Sequence, residues 1–144
     1  MDGNYFHLAL PSFSRNESVA VNAVAAFVNQ LNPTDYELGD IRTSVSEAFT
    51  NCVEYAYPEK PGEVTIRCKI LKNNVISIAI RDKGKGIKNI HQARQPMFTT
   101  GGATHSGMGF TIMESFMDDF RVTSEVNGGT VVMMKKKIRF TADE

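Results

Sequence analysis

Asp82-Lys83-Gly84-Lys85-Gly86 places a carboxylate and two glycines at the end of an apolar, alternating run. A carboxylate at a strand end can accept a hydrogen bond from an amino group, and glycine lets backbone approach a ligand closely. The same pentapeptide is also ordinary turn chemistry. Ser106-Gly107-Met108-Gly109-Phe110 precedes an apolar helix start. Free amides at a helix N-terminus, with glycine removing steric bulk, form an anion site suited to phosphate. The stretch is not a P-loop, because no Gly-Lys-Ser/Thr follows, and not a dinucleotide fingerprint, which needs GxGxxG in a βαβ unit. A Gly-rich helix entry without a ligand accounts for it equally well. Glu47 and Asn51 stand four apart and share one helix face. An acid and an amide so placed can serve as a base and a metal ligand, although most such pairs form a solvated helix surface. His7, His91 and His105 are scattered and form no ligand set; His105 lies in the Gly-rich stretch, where a cation can meet a phosphate. Cys52 and Cys68 lack CxxC spacing and read as two reduced, buried thiols.

The elements that must position these residues follow from periodicity. A strand is expected near Tyr5–Leu10. Ser14-Arg15-Asn16-Glu17 reads as a capping box before a helix whose Val21, Val24, Ala25, Val28 and Leu31 form one apolar stripe. Asn32-Pro33 closes that helix, and Thr34-Asp35-Tyr36-Glu37 is a second capping box. The helix after it carries Leu38, Ile41, Val45, Phe49 and Cys52 on one face and ends by Pro58, with Glu47 and Asn51 roughly opposite that stripe. Val64, Ile66, Cys68 and Ile70 alternate with polar residues as a half-buried strand, Asn73-Asn74 suits a tight turn, and Val75–Ile80 is the return strand. A second hairpin pairs Phe120–Val126 with Thr130–Ile138 around Asn127-Gly128-Gly129. Between the hairpins lie a loop over 82–88, a short helix near Asn89–Arg94, the Gly-rich stretch 99–109 and a helix from Phe110 to about Phe116, whose Phe110, Met113, Phe116 and Met117 read as core. Lys135-Lys136-Lys137 reads as an edge strand protected from pairing by lysine. The order gives an α+β two-layer sandwich, with helices on one face of a mostly antiparallel sheet. The long Gly-rich region in a chain of this size is where function is expected.

Composition limits the partners. The 144 residues suit one domain, 1–144, and 42% apolar content supports a core. Sixteen Lys+Arg balance sixteen Asp+Glu, so the basic excess of a nucleic-acid binder is missing. No apolar run approaches a membrane span, and the N-terminal stretch lacks the pattern of a signal peptide. A cytoplasmic protein is expected.

The order of the motifs adds to each of them. Glu47-x-x-x-Asn51 on a helix, Asp82-x-Gly-x-Gly after a strand, Gly107-x-Gly at a helix start and Gly129-Thr130 opening a strand together resemble the Bergerat ATP-binding fold of the GHKL superfamily, shared by gyrase-type ATPases and histidine kinases. More narrowly, VSEAFTN (45–51), ARQPMFTT (93–100) and SGMGFTIMESFMDDF (106–120) are similar to the sporulation anti-sigma F factor family, serine kinases of that superfamily, and the likeness runs from Phe6 to about Arg139. The resemblance implies that Asp82 binds the adenine amino group, helped by Thr130, with Gly84 and Gly86 fitting the loop to the nucleotide. It implies that Asn51 holds Mg²⁺ bridging the phosphates of ATP and that Glu47 is the general base for a substrate serine. Residues 99–106, including Thr99, Thr100, His105 and Ser106, would form a lid over the triphosphate, closed by Gly107, Met108 and Gly109. Members of the family carry Arg where this chain has His105, Arg at Val21 for partner contact, and His-Gly in place of Tyr55-Ala56.

The function so implied is an anti-sigma factor that holds a sporulation sigma factor and phosphorylates a serine of an anti-anti-sigma factor, acting as a homodimer. The alternatives are a nucleotide-gated binding module without significant kinase activity and a general stress-response anti-sigma kinase. A histidine kinase catalytic domain is disfavoured, since the length leaves no room for a dimerisation helix pair carrying a phosphoacceptor histidine.

Overall fold

The structure is a computed structural model, and it describes residues 2–87, 89–94 and 108–139. Its elements run β1 (Tyr5–Pro11), α1 (Asn16–Val28), α2 (Asp35–Asn51), β2 (Glu63–Leu71), β3 (Val75–Asp82), α3 (Ile90–Ala93), α4 (Gly109–Phe116), β4 (Asp119–Glu125) and β5 (Gly129–Lys137). The five strands form one sheet in the order β1-β2-β3-β5-β4, every neighbouring pair antiparallel. The expected α+β sandwich is therefore present, with helices covering one face.

Strand alternation decides which face is covered. The register aligns Phe6, Cys68, Ile78, Met134 and Phe120 in one cross-strand row, and Leu8, Ile66, Ile80, Val132 and Val122 in the next. Against these rows α2 lays Ile41, Val45 and Phe49, α1 lays Val24 and Val28, and α4 lays Met113, all buried. Full burial of each such side chain contributes about 1.5–3 kcal/mol. Phe6 meets Phe27 edge-on at 5.0 Å between centroids, fixing β1 to α1.

The turn chemistry is local where the residues demand it. Asn73 and Asn74 both adopt positive φ (63° and 59°) in the β2–β3 turn, and Asn127 (61°) does so between β4 and β5. At the start of α2 the capping box is complete: Glu37 N donates to Thr34 Oγ1 at 3.2 Å and Thr34 N donates to Glu37 Oε1 at 3.0 Å. Asn32 turns left-handed (φ 52°) after a short 3₁₀ turn over Asn29–Leu31 and so ends the first helix.

Two expectations are corrected. Ser14 and Glu17 form no side-chain capping box, because α1 begins later, at Asn16; Glu17 N donates instead to the Ser14 carbonyl at 3.2 Å and Asn16 Nδ2 to the Pro11 carbonyl at 3.0 Å. The lysine-rich strand is not an edge: β5 lies between β3 and β4, and Lys136 faces the helices, where it is 8% exposed. Val21 belongs to the core at 6% exposure, as expected from its place on the apolar stripe of the first helix.

Candidate nucleotide site

Asp82 is the last residue of β3 and lies on the helix-facing side of the sheet. In the register it continues the row Leu10, Val64, Asp82, Thr130, Ser124, a row that is apolar on β1 and β2 and polar on the three strands beyond. The carboxylate is 6% exposed. Its Oδ1 accepts from Gly84 N at 3.0 Å and Thr130 N at 3.2 Å, and its Oδ2 accepts from the Cys52 thiol at 3.6 Å. Burial pushes the Asp82 carboxyl above its ordinary value of 3.8, and those three donors only partly offset the push. Ser124 Oγ accepts from Ile87 N at 2.8 Å, donates to the Gly129 carbonyl at 3.1 Å and lies 2.8 Å from Thr130 Oγ1. One serine thus holds the Asp82 loop and the start of β5 together.

The loop after Asp82 is clamped from both sides. Lys85 N donates to the Ala56 carbonyl at 3.3 Å, and Asn127 N donates to the Lys85 carbonyl at 2.7 Å. The Tyr57 hydroxyl accepts from Lys83 N at 2.6 Å and donates to the Glu63 carbonyl at 2.8 Å. A Cβ on Gly84 would collide with the Ala56 carbonyl oxygen, and one on Gly86 (φ +76°) with that of Glu125. Ala56 is in reach because α2 does not simply stop. Cys52–Ala56 continue it as a π-helical turn, a widening that recurs at functional sites.

The third wall is the start of α4. Ile112 N donates to the Met108 carbonyl at 2.8 Å, and among the described residues no side chain caps this terminus. The first amides of the helix therefore have no intrahelical acceptor. Phe110 packs at 5.8 Å from the Phe120 ring, which also carries the Arg94 guanidinium 4.9 Å above it. Arg94 pairs with Glu114 at 2.9 Å, so the residues on either side of segment 95–107 are fixed to each other.

These parts enclose a cavity of about 700 Å³, within the range of small-molecule sites. Asp82, Thr130, Gly86, Asn51 and Gly109 all line it. Gly84 sits in the loop beside them and Met108 precedes the first turn of α4. Glu47 lies one turn before Asn51 on α2, half-buried, and is not among the lining residues. Thr99, Thr100, His105, Ser106 and Gly107 lie outside the described residues. Lys85 supplies a cation at the cavity wall. The sequence reading missed Cys52, Tyr57 and Ser124 as site residues. The first two act across 30 or 26 positions of separation, which no local pattern reveals.

Residues 11–136 match the family described as the histidine kinase-like ATPase domain. The chain is 49% identical over 136 residues to the anti-sigma F factor of Geobacillus sp. (strain WCH70), covering 94% of this chain and 93% of that protein. It is 45% identical over 141 residues to the anti-sigma F factor of Clostridium novyi (strain NT), covering 96% and 98%. This chain belongs to the anti-sigma F factor family. Its fold is also similar to about a third of the chain in the crystal structure of the RsbU and RsbW domains of Rv1364c from Mycobacterium tuberculosis (TM-score 0.70, 15% identity, 96% of this chain and 34% of that one). The mycobacterial sensor histidine kinase MprB gives a TM-score of 0.61 at 14% identity, covering 93% and 99%. Membership of a histidine kinase-like ATPase family makes this an ATP-using protein. In this anti-sigma F family member no helix among the described residues is long and apolar enough to cross a membrane.

Proposed function

We propose that the protein is a cytoplasmic anti-sigma factor that binds Mg-ATP in this cavity, holds a sporulation sigma factor, and phosphorylates a serine on an anti-anti-sigma partner. The observation that carries the proposal is the convergence of Asp82, Asn51 and the start of α4 on one cavity in a chain of this family. Asp82 Oδ2 accepts from the adenine amino group, since Oδ1 is already held by two backbone amides. Thr130 lies beside it and the glycines of the loop admit the base. The amides at the start of α4 and the Lys85 ammonium face the phosphates.

Asn51 is the residue that would hold Mg²⁺. No cluster of three or more His, Cys, Asp or Glu among the described residues offers a protein cage. A single amide oxygen nevertheless suits an ion that keeps its waters and binds largely through phosphates. When bound, the ion neutralises phosphate charge. In the transfer, the partner's serine oxygen forms a bond to the γ-phosphorus while the bond to the bridging β-phosphate oxygen breaks. ADP leaves, and Glu47 takes the serine proton. Thr99, Thr100, His105, Ser106 and Gly107 are assigned to the triphosphate by family likeness. A homodimer is part of the proposal on the same ground.

One observation favours a second reading, in which nucleotide only gates sigma binding: Glu47 is not among the residues lining the cavity. The two readings separate when γ-labelled Mg-ATP and the anti-anti-sigma protein of the same genome are mixed with wild type, Glu47→Gln and Asn51→Ala. Phosphoserine that falls at least about a hundredfold with Glu47→Gln supports the kinase and its base. No phosphoserine, with Mg-ATP binding that is lost in Asn51→Ala, leaves the gated binding module.

A further inference from the structure

The two oxygens of Asp82 are treated differently by the fold. Oδ1 is saturated by two backbone amides, while the one partner of Oδ2 among the described residues is the Cys52 thiol, 3.6 Å away. Cys52 is the first residue of the π-helical turn that follows α2, it is 4% exposed, and it lines the same cavity as Asp82. A thiol is a weak donor. It occupies one lone pair of Oδ2 without competing strongly for the other, and the oxygen remains an acceptor toward the cavity. An aspartate left without that donor, and buried as deeply, would gain more by taking up a proton. A protonated carboxyl presents an O–H and thereby favours a base that offers an acceptor.

We propose that Cys52 is a positioning residue for base recognition: its thiol holds Oδ2 of Asp82 as an oriented acceptor, so the site selects a purine with an amino group at position six over one with an oxo group. The inference rests on the nucleotide reading of the cavity and adds a specificity device to it. Adenine and hypoxanthine differ at that position, donor against acceptor, which makes them the matched probes. The free thiol itself takes no part in chemistry. Burial and the neighbouring Asp82 charge push its proton affinity well up, so it stays a thiol and a donor.

The test is equilibrium binding of ADP and IDP to the full chain in four forms: wild type, Cys52→Ala, Cys52→Val and Cys52→Ser. Wild type is expected to prefer ADP. Cys52→Ala lowers the ADP-to-IDP affinity ratio about five- to tenfold, the net size of one ordinary hydrogen bond, as suits a weak thiol donor. Cys52→Val, which removes the donor and keeps a side chain of similar bulk, does the same. Cys52→Ser, which keeps a hydrogen on a shorter arm, retains a ratio within about twofold of wild type, as a restored donor requires. Equal weakening of both nucleotides in Cys52→Ala and Cys52→Val would mean that the side chain only packs, and would overturn the proposal. So would a serine variant that behaves like alanine. Wild type that binds neither nucleotide would overturn the nucleotide reading itself and the inference with it.

Discussion

The helix-facing side of the sheet buries charge at both ends of its central strands, and the two ends are finished in opposite ways. At one end Lys136, on β5, donates to the Phe116 carbonyl at the close of α4 at 2.7 Å and lies 3.4 Å from Asp40 on α2. Around it Glu37 Oε2 accepts from Arg139 N at 2.8 Å, and Arg139 pairs with Asp118 at 3.1 Å. A cation there meets a helix C-terminus and carboxylates, which is where cations are favoured. At the other end Asp82 has, among the described residues, no cation against it but two amides and a thiol, and it opens on a cavity. The sealed end joins β5, α2 and α4 into one body. The open end is left with acceptor capacity facing a cavity, as the proposed nucleotide site requires.

Breaking the open end at its backbone should give the largest effect. Gly86→Val forces a side chain into the Glu125 carbonyl at a left-handed φ, a strain of roughly 1–3 kcal/mol before the collision is counted. Nucleotide affinity by equilibrium titration should fall at least about a hundredfold once loop 83–87 is displaced, while far-ultraviolet circular dichroism keeps the signature of the fold. Retained affinity would show that the loop's course does not matter. Breaking the sealed end should act on stability instead. Lys136→Met leaves the Phe116 carbonyl and the Asp40 carboxylate without their cation, a loss of about 1–3 kcal/mol in chemical denaturation, with nucleotide affinity of the folded fraction near wild type.

Acid sharpens the comparison and should give the smallest effect. Asp82 is held above 3.8 by burial, so its protonation favours the free folded chain and removes the acceptor that adenine needs. Nucleotide affinity should therefore decline as pH falls through a value above 3.8. Asp118 behaves the other way: burial pushes it up, but the Lys137 amide, the Arg139 guanidinium and Lys136 outweigh that and hold it below 3.8. Its contribution to stability is complete above the unfolded carboxylate value and is lost only as pH falls through the lowered folded one. Titrations and melts across that range, with Asp118→Asn as control, should show binding failing at higher pH than the sealed end loosens.

Much of this was legible in the residues, and the reasons differ by region. The Thr34–Glu37 capping box, the Asn73-Asn74 turn and the alternation in β2 and β3 are local, and each formed where its residues require. The Asp82 loop is ordinary turn chemistry by itself and could be singled out only through its place in the ordered series of motifs. Lys136 was misread because no local signal tells which strand of a hairpin is outermost; that depends on β5 pairing with β3 as well as β4. Ser14 and Glu17 have capping spacing, yet the chain turns once more, over Phe13–Asn16, before α1 starts. Cys52 and Tyr57 have their roles from the π-helical turn after α2, which brings them to the Asp82 loop across long sequence separations.

The central claim is that one oxygen of Asp82, left open by the fold, recognises the base of a nucleotide. The most direct measurement is calorimetric titration of wild type and Asp82→Asn with Mg-ADP, together with a thermal melt of each free protein. The account predicts saturable binding to wild type and a loss of about a hundredfold or more in Asp82→Asn, whose melting temperature is unchanged or higher because a buried charge has been removed. Equal affinity in the two proteins, or a variant that loses binding only because it no longer folds, would contradict it.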